Sequence, residues 1–341
     1  MRAKAEYDNG LTREFLHSLL CTAASLLCGC LTALVPAHAV ADDRYPGKPV
    51  KIVVPYPAGG SADGVARMLG AELSTAFGKP FVVENRPGAS GTIGADAVAK
   101  SEPDGHSLLL ALDITLTVAP FLYSKLSFDP SKDLKPVVLL AWNPNVLVVA
   151  PSLPVNSIGE LVAIAKKQRL FYASGGNGSP GHLAGEAFKM QAGIDMTHVP
   201  YRGLPQALTA MLAGDDVQVF FVSIFGLEPH IRAGKLRAFA VTSAERAALM
   251  PNLPTMRESG FADFDIYSWY ALFAPSGTPD SVVDALYDRA AKAFKSESVQ
   301  ERLLKQGLTP SVRKPGEVSE LIRRDQAKWS ALIKKAAIKL D

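Results

Sequence analysis

Residues Tyr45 to Asp96 read YPGKPVKIVVPYPAGGSADGVARMLGAELSTAFGKPFVVENRPGASGTIGAD, a succession of strand, glycine turn, helix, strand, glycine turn and helix. The run KIVVPY is apolar and β-branched, and PAGGSAD breaks it with small residues and offers Asp63 as an N-cap for the next helix. That helix carries Val65, Leu69, Leu73 and Phe77 at near-fourfold spacing and should stop at Gly78. FVVENR gives a second strand, and PGASGT opens another helix near Ile93. Both loops aim peptide N–H groups at one edge of a sheet, where small anions bind, and glycine lets the backbone approach a ligand closely.

Strands and helices go on alternating along the chain, which predicts a parallel or mixed sheet covered on both faces by helices. SLLLAL and PVVLLA are apolar throughout and suit buried strands. Ser157 and Glu160 stand at capping-box spacing before a further helix. LFYAS, THVPY, VQVFFV and LRAFAVTS are strands separated by helices at HLAGEAFKM, PQALTAML and GLEPHIRAG, and FDIYSWYALFAP is a long strand followed by three helical stretches. No repeat and no flexible linker appears, so the pattern points to two α/β domains joined by crossing strands.

The order of motifs from Tyr45 to the C-terminus resembles the Bug-type solute receptors of tripartite tricarboxylate transporters. The resemblance continues through KSEPDGHSLLLA, NPNVLVV, YASGGNGSPGHLAGE, HVPYRG, HIRAGKLRAFAVTS, LPTMRESG and APSGTP. It implies a two-domain type II periplasmic-binding-protein fold with a ligand cleft between the domains, domain 1 comprising residues 44–144 and 265–341 and domain 2 residues 145–264. It also implies a receptor that captures a small carboxylate (aromatic, di- or tricarboxylate) and delivers it to membrane permease subunits, as a monomer and without a cofactor.

Ahead of this region, Phe15 to Val35 is apolar and free of acids, lysine and arginine, and Ala37-His38-Ala39 offers a small-x-small cleavage site. Residues 1–39 are therefore read as a signal peptide that is removed on export to the periplasm. Two other readings exist: a membrane anchor, since about 20 apolar residues can span a bilayer, and a lipoprotein with Cys30 as acceptor in the lipobox-like Leu27-Cys28-Gly29-Cys30. The three cysteines all lie in this segment, so the 302 residues after Ala39 contain neither disulfide nor thiol chemistry. The net charge of +3 is scattered rather than gathered in a basic stripe, which argues against a nucleic-acid partner. The Arg323, Arg324, Lys334 and Lys335 cluster reads as the solvated face of a terminal helix.

Enzyme motifs are scarce. Gly176-Asn-Gly-Ser-Pro-Gly181 matches GxGxxG after a strand, with Asp195 about 20 residues on, so a nucleotide-dependent oxidoreductase or a hydrolase using this loop is the alternative function. However, Asp195 precedes THVPY instead of ending it, which is the wrong edge of the sheet for a ribose, and no GxSxG elbow makes Ser179 a nucleophile. His106, His182, His198 and His230 are isolated in sequence, with no i,i+4 partner and no acid at ligand spacing, and are read as surface or hydrogen-bonded structural residues rather than metal ligands.

The ligand-binding candidates sit on four loops at the carboxyl ends of strands. Tyr56, Gly60, Ser61 and Asp63 form the first; Asp113 and Thr115 the second; Ser174, Gly176, Asn177 and Ser179 the third; and Val222 and Ser223 the fourth. Tyr201 and Arg202 could add a hydroxyl and a cation, and Trp142 and Tyr56 apolar walls. Where many Bug-type receptors have Asp then Asn, this chain has Val222-Ser223, which removes a partner for a ligand ammonium group and predicts a carboxylate without an amino group, its body against Val222 and Phe225. Asp113 is either a helix cap or a ligand contact.

Overall fold

The structure, a computed structural model, describes residues 45–214, 217–336 and 338; residues 1–39, read above as a signal peptide, lie outside them. In chain order the elements begin with β1 (Val50–Val54), α1 (Ser61–Phe77), β2 (Phe81–Asn85), α2 (Thr92–Ala99) and β3 (Ser107–Leu112). Two short helices, α3 (Ile114–Thr117) and α4 (Ala119–Leu122), lead into β4 (Leu134–Val149). Next come α5 (Ile158–Ala165), β5 (Leu170–Ser174), α6 (Pro180–Ala192), β6 (Met196–Pro200), α7 (Leu204–Ala213) and β7 (Val219–Ser223). The chain closes with α8 (Glu228–Arg232), β8 (Arg237–Val241), β9 (Tyr267–Pro275), α9 (Asp280–Phe294), α10 (Glu297–Lys305), β10 (Thr309–Arg313) and α11 (Pro315–Lys335).

The strands lie in the order β2-β1-β3-β9-β4-β7-β5-β6, with β8 and β10 also pairing with β4. β1 runs parallel to β2 and β3, and β5 parallel to β6 and β7, so each half contains the βαβ units the alternating pattern predicts. β4 links the halves: Leu134 to Pro144 pair with β9, and Asn145 to Val149 with β7. PVVLLA reads as a strand, and VLVV stands as a second apolar run in the NPNVLVV motif. They are instead one 16-residue strand, in which the polar Trp-Asn-Pro-Asn segment is accommodated because the strand changes partners there. The second crossing lies beside it, where Thr242 N–H donates to Asn145 O (2.8 Å) and Ile266 N–H to Thr242 O (2.8 Å).

Burial follows the sequence pattern. Val65, Leu69 and Leu73 of α1 are fully buried, and the helix ends on Gly78 in the left-handed conformation. One core gathers Val53, Leu109, Leu139, Trp269 and Phe273 with Val318 and Leu321 of α11. A second joins Leu147, Tyr172, Phe188 and Phe221 to Trp329 and Ile333 of the same helix, so α11 is packed into both halves by burial worth about 1.5–3 kcal/mol per large apolar side chain. β10 is an element the sequence reading omits: TPSVR is short, carries Pro310 and is half exposed on an edge beside β4.

Candidate functional site

A cavity of ≈ 640 Å³ opens where the carboxyl ends of strands from both halves meet. Its walls are the β1–α1 loop, the 87–91 turn before α2, Leu112, Ile114 and Tyr123 on one side, and residues 175–177, 179–181 and 202–205, Phe221 and Ser223 on the other, with Asn143 and Asn145 of β4 between them. The two walls touch: Ser90 Oγ donates to Asn177 O (3.2 Å) and meets the Tyr123 hydroxyl at 3.1 Å.

In the first loop, Gly59 takes φ 82° and Gly60, not Asp63, is the N-cap of α1. Asp63 stands at the third helical position and braces the turn from behind. Its Oδ2 accepts from Gly59 N–H (3.1 Å) and Arg67 Nε (2.9 Å), and its Oδ1 from Asn85 Nδ2 (3.0 Å), while Asn85 also donates to Tyr56 O (3.1 Å). Burial works against the charge, but the bonds from Arg67, Gly59 and Asn85 outweigh it and hold the carboxyl below the usual range. Glu160 does the same on α5, reaching back to Asn156 N–H at 2.7 Å while Ser157 caps Glu160 N–H at 3.1 Å. Gly60, Ser61 and Tyr56 line the cavity; Asp63 does not.

Thr115 is a support as well. Fully buried and off the lining, its hydroxyl meets Tyr56 OH at 2.5 Å and donates to Ser90 O (3.1 Å). It steadies a turn in which Ala89 and Ser90 both have positive φ, 46° and 52°, a conformation costing about 1–3 kcal/mol per residue. A Cβ on Gly91 would fall 2.3 Å from the Thr115 hydroxyl, so this turn also requires a glycine.

The GNGSPG segment wraps the start of α6. Ser179 is the N-cap, accepting from His182 N–H (3.4 Å), with Pro180 next, and Gly176, Asn177 and Ser179 reach the lining. Ser174 is fully buried beneath: its Oγ accepts from Gly176 N–H (3.1 Å) and pairs with His198 Nε2 (2.6 Å). His182 and His198 are not isolated but stacked, ring centroids 3.9 Å apart, with Tyr172 against His198 at 4.9 Å. Burial lowers His182 to about 4 and, with the neighbouring imidazole, His198 to about 3. Both are neutral at pH 7, so His182 Nδ1 can accept from Gly178 N–H (3.0 Å). The stability this provides is present above about pH 6.5 and is lost as the pH falls through the two lowered values. Ser174→Ala is therefore expected to lower the melting temperature of ligand-free protein with little direct effect on binding. Ser179→Ala should weaken carboxylate binding by about 1–3 kcal/mol; thermal melts and calorimetry on the two variants separate these outcomes.

Polar groups along β4 form a directed series. Phe225 N–H donates to Ser223 Oγ (3.1 Å), Ser223 to Asn143 Oδ1 (2.7 Å), Asn143 Nδ2 to the Tyr270 hydroxyl (2.7 Å), and Tyr270 to Ser61 Oγ (2.5 Å). Each member donates to the next, which leaves the Ser61 hydroxyl, at the first position of α1, free to donate into the cavity. Strand alternation decides which neighbours share it. Asn143 and Asn145 face inward, so Trp142 faces out and packs edge-on against Tyr267 (5.0 Å) with Arg313 over its ring (5.6 Å). Phe221 and Ser223 face inward, so Val222 turns into the opposite core. Trp142 and Val222 are thus not cavity walls; nor is Phe225, which packs against Gly64 of α1. Tyr201 is half buried against the Val222 core, leaving Arg202 on the lining.

Asp113 neither caps α3 with its side chain nor lines the cavity. It is fully buried, and neither carboxyl oxygen has a hydrogen-bond partner among the described residues. Burial, then the nearby Asp325, push its pKa well above the usual range; Ser268 and the backbone N–H groups of Trp269 and Ile114 attract the charge only weakly. Among the described lining residues the sole charged side chain is Arg202, which is exposed at the rim. No described group of three or more His, Cys, Asp or Glu residues is arranged to hold a metal ion. Asp195 has 92% of its side chain exposed and lies ahead of β6, at the opposite sheet edge from Gly176, so the dinucleotide pattern is not assembled.

Asn143, Asn145, Ser90, Tyr270 and Phe221 are contributors that the sequence reading does not single out. The signal for the first two was the polar Asn-Pro-Asn between apolar runs, and Ser90 lies in the PGASGT turn already read as facing an anion site; nothing local marked Tyr270 and Phe221.

The model of the tripartite tricarboxylate transporter receptor family matches residues 65–338. Protein BugT of Bordetella pertussis is 35% identical over 307 residues, covering 89% of this chain and 94% of that protein. Among solved structures, Rpa4515 of R. palustris with adipate has a TM-score of 0.83 at 34% identity, over 87% of this chain and all of that one. MatC (Rpa3494) of Rhodopseudomonas palustris with bound malate has a TM-score of 0.78 at 32% identity, over 85% and 100% of the two chains.

Proposed function

This chain belongs to the tripartite tricarboxylate transporter receptor family, and on that premise we propose that it is an exported receptor that closes on a small carboxylate and delivers it to a membrane permease. The cavity carries the proposal. Donors converge on it from the α1 N-terminus, the GNGSPG loop and Asn145, a cation waits at its rim, and no described lining residue is acidic. Three or four charge-assisted hydrogen bonds at about 1.5–3 kcal/mol each are of the order of the 8 kcal/mol that micromolar affinity requires. Leu112, Ile114, Leu204 and Phe221 supply an apolar body site. No catalytic group is needed for this role.

We take the mature protein to be a periplasmic monomer starting near Val40, with its lobes dividing at residues 145 and 265; the change of β4 partner from β9 to β7 at Asn145 supports the first division. Adipate and malate in the two R. palustris structures point to aliphatic dicarboxylates as first probes, with Arg202 available to a second carboxylate. A thermal-shift screen of mature protein against mono-, di- and tricarboxylates, aromatic acids, amino acids and nucleotides tests this. A carboxylate should raise the melting temperature with the logarithm of its concentration. A shift with NAD or ATP and none with any carboxylate would favour the enzyme alternative.

A further inference from the structure

We infer that Asn145 donates its side-chain amide to an oxygen of the bound carboxylate, tying the ligand to the point where the chain passes between the lobes; this rests on the carboxylate reading above. Asn145 is only 2% exposed, lines the cavity, and its Nδ2 has no hydrogen-bond partner among the described residues. A buried donor without an acceptor carries the full desolvation cost of the group, so an acceptor placed there is favoured over water-filled space. The backbone cannot withdraw the side chain easily. Asn145 N–H donates to Thr242 Oγ1 (3.1 Å), and its carbonyl accepts from Thr242 N–H (2.8 Å) on the second crossing segment.

The surroundings specify what the amide meets. Asn145 pairs across the sheet with Ser223, the second member of the directed series that ends at the Ser61 hydroxyl. The lining near it thus presents Ser61 O–H and the Asn145 amide as donors, whereas Ser223 and Asn143 are already engaged with one another. A group that only accepts, a carboxylate oxygen, matches both donors; an ammonium group matches neither and meets no described acid on the lining. Because Asn145 is held by both crossings, a bond to it couples the ligand to the region about which two lobes would hinge.

The test uses mature protein with adipate, succinate and malate in calorimetry, alongside melts without ligand. Asn145→Ala should weaken every carboxylate the wild type binds by about 10- to 100-fold, and Asn145→Asp, which places an anion against the ligand, by more. Melting without ligand should not fall in Asn145→Ala, since the donor has no partner to lose. Affinity within twofold of wild type in Asn145→Ala would overturn the inference while leaving the carboxylate reading standing. If wild type binds none of the carboxylates, the reading itself fails, and the inference with it.

Discussion

Gly181→Ala should destabilise the protein by about 1–3 kcal/mol or more and abolish measurable carboxylate binding. A Cβ on Gly181 would lie 2.2 Å from the Phe221 carbonyl and 3.7 Å from Ser174 Cβ. The first of these contacts is backbone in β7, which pairs with β4 and cannot swing aside as a side chain would. The start of α6 must therefore back away from the sheet, carrying Asn177 and Ser179 off the cavity wall. Gly47→Ala, where a Cβ meets nothing within 4 Å, is the control and should melt and bind as wild type does. Wild-type melting and affinity in Gly181→Ala would show that the helix does not sit this close to β7.

Asp113→Asn should raise the melting temperature at pH 8, with unchanged carboxylate affinity. In the folded protein, burial and Asp325 hold Asp113 in its protonated form well above the usual range, whereas the unfolded chain ionises near the ordinary carboxylate value. Between those two values the folded state binds more protons, so this residue stabilises at low pH and that contribution is lost as the pH rises. The advantage of the Asn variant should therefore be small near pH 4 and widen above it, by at most about 1.4 kcal/mol per pH unit, until the folded carboxyl itself ionises. A lower melting temperature at pH 8, or weaker binding, would mean the acid is used rather than merely tolerated. From the sequence this acid is either a helix cap or a ligand contact; it does stand at the N-cap position of α3, but its side chain makes no cap bond and does not line the cavity.

The fold was legible because its signals are local. The β-branched run before PAGGSAD, the spacing of Val65, Leu69 and Leu73, and the glycine at 78 each set one element without reference to the rest of the chain. The site was legible only to the level of loops. Tyr56, Gly60, Ser61, Gly176, Asn177, Ser179 and Ser223 do reach one cavity, since glycine-rich turns at strand ends converge in any such sheet. Choosing between neighbours needed the strand's phase. Val222 and Trp142 are one residue out of register with the inward-facing Phe221, Ser223, Asn143 and Asn145, and a shift of one residue turns a side chain to the other face. Ser174, Thr115 and Asp63 are the right residue types in the right loops but stand one layer back, holding the turns that face the cavity. The histidine stack was hidden because His182 and His198 are 16 positions apart and meet only through the parallel packing of β5, α6 and β6.

Titration calorimetry of mature protein with matched pairs, succinate against aspartate and adipate against 2-aminoadipate, bears most directly on a receptor whose described cavity lining offers donors and no acid. The amine-free member of a pair should bind one to one with affinity in the micromolar range or tighter, and its amino analogue at least tenfold more weakly, because a buried ammonium group without a partner is costly. Tighter binding of the amino acids in both pairs would contradict this reading of the cavity.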